Sequence, residues 1–459
     1  MNLSIQLKAT PSLLITLALL FVCFGVLPKV QAVVPPPDGG YPNFTTAEGT
    51  KALFSLTTGS ANTAVGWFSL FSDTTGSFNT ATGAGALIFN TGDENTAFGA
   101  AALLFNTTGI NNTAVGATAL LHNTIAEENT ATGAFALSSN TEGDFNTATG
   151  AFALSFNTTG VRNTATGDSA LFSNTTGDQN TANGNAALVT NTSGIHNTAT
   201  GASALFGNST GSSNTAEGGR ALFSNTSGAQ NTANGHEALL NNTTGNANTA
   251  IGAGAFPISN TGSHNIAVGA GAGIGVTTAS QVICIGAFGD NTDNSCYIGS
   301  IFGQTSSGGT AVFINSSGKL GTTTSSRRFK EEIKPMEGTS EALFALKPVT
   351  FRYKKEIDPA GTSQFGLVAE DVEKVNPDLL VRDKNGKPYS VRYDQVNAML
   401  LNEFLKEHWK NEQQESKIEE QEAKIARQEQ QIEALTVGLQ KISAQLESSK
   451  PGSQVVNNP

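Results

Sequence analysis

Ser325 and Lys330 stand five residues apart in the phrase Ser325-Ser326-Arg327-Arg328-Phe329-Lys330. A serine hydroxyl beside an amine can perform nucleophilic chemistry if the amine is neutral and takes the hydroxyl proton. An ordinary lysine is protonated near neutral pH. Burial against Phe329, or the neighbouring Arg328 charge, would lower its pKa and free the lone pair. The chain has five histidines, none of them between Ser325 and Glu407, so a Ser-His-Asp arrangement within that stretch is excluded. A bond on the same chain would present itself to Ser325 at very high effective molarity. The same phrase is also what a solvated basic turn looks like, and the residue types alone leave both readings open.

The rest of the chain offers little other chemistry. Cysteines occur at Cys23, Cys284 and Cys296 only, and no Cys/His cluster has metal-ligand spacing, so neither metal nor cofactor is expected. Cys284 and Cys296 both border Ile-Gly phrases. On successive coils of a repeat their sulfurs could be neighbours, either as a disulfide or as two buried thiols. No acid pair suited to glycoside hydrolysis is visible in the first two-thirds, and no activity on external substrates is expected. A net charge of −11 argues against a nucleic-acid partner.

The elements that must carry Ser325 and Lys330 are built on repetition. Thirteen near-copies of Asn-Thr-Ala-x-Gly run from Asn62 to Asn265 at a 17-residue step, with one step of 16 between Asn79 and Asn95. Each unit reads roughly N-T-A-x-G-x-x-A-L-F-x-N-T-T-G-x-x. A fixed period of this length marks a solenoid, in which each unit buries its apolar side only against its neighbours. The pieces are too short and too rich in glycine for helices. The expected fold is therefore mainly β, a parallel β-solenoid or β-roll over residues 45–273 with two short strands per coil. The interior should hold the Ala of each Asn-Thr-Ala-x, an apolar ladder of Leu70, Leu87, Leu103 and Leu120, and stacked Asn columns.

The flanking regions divide by composition. Residues 1–32 read as a signal peptide, with an apolar run from Leu13 to Leu27 and small residues before Ala32–Val33. Export to the cell surface or beyond is expected, with no membrane association after cleavage. Residues 33–44 form a Pro/Gly linker. Residues 274–324 hold terminal coils, then a strand-turn-strand at 310–321. Residues 325–410 read as a small α/β domain, with a strand at Val349–Tyr353, a helix opening near Gly366, and a hairpin turn at Lys384-Asn385-Gly386-Lys387. Residues 411–448 form a coiled coil, with Ile418, Ile425, Ile432, Leu439 and Leu446 seven apart. Residues 449–459 are a disordered tail.

Four phrases in order carry a resemblance. They are Ser325 to Ile333, Leu346-Lys347-Pro348-Val349-Thr350-Phe351-Arg352-Tyr353, Gly366 to Val372, and Tyr389-Ser390-Val391-Arg392-Tyr393-Asp394 running into a helix. Over about 325–410 the chain resembles the C-terminal intramolecular chaperone of phage endosialidase tailspikes, a self-cleaving serine peptidase family. The family motif is Ser-Asp-x-Arg-x-Lys, and Ser326 stands at its Asp position. The resemblance implies a homotrimer whose partners are copies of itself. It also implies Ser325 as nucleophile, Lys330 as general base, and release of the chaperone by cleavage between Thr324 and Ser325. The repeats resemble the heads of trimeric autotransporter adhesins, with a longer unit. The expected function is an exported, adhesin-like homotrimeric fibre with such a chaperone. The alternatives are a prophage tail fibre, a chaperone that does not cleave, and an ice-binding-like solenoid presenting Thr-x-Thr rows.

Overall fold

The computed structural model describes residues 42–449. The signal peptide, most of the linker and nearly all of the tail lie outside that range. The chain divides into two compact units, the first running to Thr305 and the second starting at Ser306.

The first unit is a parallel β-solenoid of about 15 turns. Its one sheet has 16 strands in sequence order, from β1 (Thr46–Glu48) to β16 (Cys296–Ile298). Each strand is three residues long, and partners lie one repeat apart. In β7 (Thr147–Thr149) and β8 (Thr164–Thr166), Thr147 pairs with Thr164 and Ala148 with Ala165. The middle Ala faces inward and is fully buried, while the Thr before it and the residue after it face outward. The one short step is absorbed in a turn. Asn90-Thr91-Gly92 lacks a residue present in Asn106-Thr107-Thr108-Gly109, and Thr80 still pairs with Thr96.

The expectation of two strands per coil needs correction. The side opposite the sheet is a chain of turns. Ala119 and Leu120 are adjacent and both fully buried, which a strand's alternation forbids. The backbone achieves this by left-handed conformations at Thr118 (φ 56°) and Leu120 (φ 52°), repeated in coil after coil. Each left-handed non-glycine residue costs roughly 1–2 kcal/mol, offset by burying a second apolar side chain per coil. Coil-to-coil hydrogen bonds continue on this side, with Leu120 N donating to Ala136 O (3.0 Å) and His122 N to Ser138 O (3.1 Å).

Two buried Asn columns satisfy what the turns leave open. In the first, a side-chain oxygen accepts the backbone N–H one coil on, as Asn146 Oδ1 does from Asn163 N (3.0 Å), and Nδ2 donates to a turn carbonyl, in most coils a glycine's, as Asn163 does to Gly177 O (2.8 Å). The second column runs side chain to side chain, with Asn157 Nδ2 donating to Asn140 Oδ1 (2.7 Å) and Asn174 Nδ2 to Asn157 Oδ1 (2.8 Å). An amide carries its donor and its acceptor on separate atoms, so one side chain can bond groups on both sides of it. The glycine ending each strand is equally specified. At Gly150 φ is +135°, and a Cβ would lie 2.4 Å from Gly167 O.

The second unit is small and open. An antiparallel hairpin pairs β17 (Val312–Ile314) with β18 (Leu320–Thr322). A 3-10 segment, Glu337–Ala345, precedes β19 (Val349–Phe351), which pairs with β20 (Gln364–Gly366). Helix α1 (Ala369–Val375) follows, then the hairpin of β21 (Leu380–Arg382) and β22 (Pro388–Val391). Asp383 closes its turn by accepting from Asn385 N and Lys387 N. Helix α2 (Tyr393–Ser448) is 56 residues long. The core is Val372, Leu379, Leu380, Val391 and Met399. The heptad positions Ile418, Ile425, Ile432, Leu439 and Leu446 are all exposed. Among the described residues, no helix is long and apolar enough to cross a membrane.

Candidate active site

Strand β18 ends at Thr322, and the chain continues through Thr323 to Ser326 without regular structure. A single 3-10 turn, Arg327–Phe329, then folds it back, with Phe329 N donating to Ser326 O (3.0 Å) and Lys330 N to Arg327 O (3.1 Å). That turn is what brings side chains five residues apart together. It brings Lys330 Nζ within 3.2 Å of Ser325 Oγ, where the ammonium donates to the hydroxyl. The two residues the sequence singles out therefore meet. The Thr324–Ser325 peptide bond lies in an exposed stretch directly beside them.

The surroundings differ from the expectation in one respect. Ser325 and Lys330 are exposed, and Phe329 is 57% exposed. The Phe329 ring faces the Arg328 guanidinium at 4.6 Å rather than covering the amine. The reason is local. The preceding hairpin and the turn itself are exposed on every residue, so among the described residues nothing packs over the turn.

Sequence reading missed a second cluster. Ser340, fully buried on the 3-10 segment, donates to Glu403 Oε1 of α2 and accepts from Asn402 Nδ2 (2.6 Å) and Lys406 Nζ (3.4 Å). Lys406 also donates to Glu403 (2.7 Å). Hydrogen bonds from Lys406 and then Ser340 hold the Glu403 carboxyl below its ordinary range. This network ties the 3-10 segment to α2. Its one sequence trace is Asn402, Glu403 and Lys406 at helical spacing.

The cysteines are also placed. Ile283 pairs with Cys296, and Cys284 with Tyr297. The two cysteines are thus one residue out of register, Cys284 buried inside and Cys296 exposed outside, and both are free. The expectation that their sulfurs could be neighbours fails because a one-residue offset in a strand reverses the face. Among the described residues, no group of three or more His, Cys, Asp or Glu could hold a metal.

Residues 325–381 match the Peptidase_S74 family, described as the chaperone of endosialidase. The match begins at Ser325 itself. No curated protein and no solved structure matches the chain. A β-solenoid followed by this chaperone domain fits a structural protein of the phage tail-fibre kind.

Proposed function

We propose that the chain is exported, assembles as a homotrimeric fibre under the direction of its C-terminal unit, and then sheds that unit by cutting itself between Thr324 and Ser325. The observation that carries the reading is the coincidence of three things at one place. The family match starts at Ser325, Lys330 Nζ lies 3.2 Å from Ser325 Oγ, and the adjoining peptide bond is exposed.

In this reading Ser325 Oγ attacks the Thr324 carbonyl carbon while Lys330 takes the hydroxyl proton. The C–N bond breaks, and the proton passes to the departing Ser325 amine. Water then hydrolyses the resulting ester, leaving a carboxylate on Thr324 and a free hydroxyl on Ser325. The step requires a neutral Lys330. Lys330 is exposed in the single chain, so in this reading neighbouring copies supply the cover and cleavage waits for assembly. The exposed heptad face of α2 supports self-association. A parallel solenoid presents unpaired strand edges at its ends, so a terminal clamp that gathers chains in register assists it. Removing the clamp leaves the fibre no simple route back to its separate chains.

The test is expression of the full chain beside Ser325→Ala and Lys330→Ala, with intact-mass measurement. Wild type should yield a fragment whose N-terminus is Ser325, and both variants should stay whole. An uncut wild type that sediments as three chains would leave a chaperone without peptidase activity. A mature N-terminus at Val33 supports export. A retained leader favours the tail-fibre alternative, whose assembly takes place inside the cell.

A further inference from the structure

The outward face of the solenoid sheet changes character along its length. From β1 to β13 (Thr249–Ile251) the first outward column is Thr in every strand, Thr46 to Thr249. From β13 to β16 the second column is aliphatic throughout, and the first column carries Ile266 and Ile283 in the two middle strands. Ile251, Ile266, Val268, Ile285 and Ile298 are β-branched, adjacent in register, and 37–46% exposed. Across all 16 strands the two outward columns hold only two charged residues, Glu48 and Glu217, and none from β13 onward. A contiguous aliphatic patch on a flat, uncharged sheet marks an interaction surface.

We propose that this face packs against further copies of the chain in parallel register, with the aliphatic end as its anchor. The inference rests on the trimeric reading above. Two features fix the occupant. The first is area. Strands about 4.8 Å apart make a 16-strand strip about 75 Å long and, across two side-chain columns, on the order of 10 Å wide. Shared between two neighbours in a trimer, the resulting area, on the order of 700 Å², gives each contact about half the ~800 Å² per partner of a standard interface, and three such contacts close the ring. The second is tethering. Ile298 precedes Ser325 by 27 residues, so chains gathered by their C-terminal units hold their aliphatic ends at high effective concentration, and identical patches meet in register. After cleavage this face would hold the fibre together without the clamp.

Cys296 supplies the probe. It is exposed in the first outward column of β16, while Cys284 is buried. In full-length Ser325→Ala protein, a short bismaleimide should join chains through Cys296. The bands should stop at two chains, because a two-ended reagent pairs only two of three equivalent thiols. Cys296→Ser should abolish them. Ile285→Lys with Ile298→Lys should cut the yield at least tenfold, while the sedimenting mass stays that of three chains held by the C-terminal unit. Both positions are outward-facing, so the melting midpoint by circular dichroism should move little and serves as the folding control. Three-chain particles with no Cys296-dependent cross-link, or undiminished cross-linking in the lysine variant, would overturn the inference and assign the face to a ligand other than this chain. Single-chain particles would instead overturn the trimeric reading itself.

Discussion

The two units solve the same problem in opposite ways. In the solenoid, each coil buries an Ala, an Ala-Leu pair and two Asn against its neighbours, and these interior positions are fully covered within one chain. In the second unit a core of five buried apolar side chains supports a helix of 56 residues whose apolar heptad positions face solvent. The interior of one unit is covered within a single chain, and the other leaves its apolar heptad positions exposed. Repetition explains the difference. A repeat supplies its own packing neighbour one coil away, whereas a short, unrepeated domain has no such neighbour within the chain.

That contrast can be tested from its strongest consequence to its weakest. Gly150→Ala should be the most damaging change, because a Cβ there meets Gly167 O at 2.4 Å in a backbone region closed to L-residues. A loss of about 4 kcal/mol or more is expected, read as a collapse of the solenoid's thermal transition with the helical signal of α2 retained. Leu171→Ala removes a fully buried member of the apolar ladder and should cost about 2–5 kcal/mol in the same transition. Lys406→Met should cost about 1–3 kcal/mol, confined to the second unit, by leaving Glu403 and Ser340 without their cation. Glu403 titrates below its ordinary value in the folded chain. The stability it contributes is therefore full above the ordinary value and lost as pH falls through the folded one. In the variant that acid sensitivity should shrink.

The smallest effect is a gain. Asp73 occupies a place in the second column that Asn fills in the following coils. Burial, opposed by the Gly76 amide, pushes its pKa from 3.8 up to about 6. The folded chain therefore holds a proton that the unfolded chain has released between those values, and stability falls as pH rises through that window. Asp73→Asn should raise the solenoid midpoint by about 2 °C or more at pH 7.5 and by less at pH 4. An equal rise at both pH values would show that ionisation is not the cause.

Much of this was legible before any coordinates. The 17-residue step, the inward Ala and Leu ladders and the amide columns follow from spacing and residue type, because a regular repeat converts sequence distance directly into spatial neighbourhood. The C-terminal match was legible in ordered phrases starting at Ser325, three of which fall within residues 325–381, and the meeting of Ser325 with Lys330 follows from one local turn. The second wall of each coil was not. Period-two alternation assigns it a strand, and nothing local announces that Leu120 adopts a left-handed backbone so that it and Ala119 both point inward. The Ser340 network was equally hidden, since Ser340 lies more than sixty residues from Asn402, Glu403 and Lys406.

What the chain's order of residues determined by itself was thus everything governed by short or periodic separation, namely the solenoid, its interior ladders and the Ser-Lys pair. Tertiary structure alone decided which face each cysteine took, how open the Ser325 turn remained, and where the outward sheet became aliphatic and continuous. Those depend on register and on what packs across from a residue, and neither is a property of its neighbours in sequence.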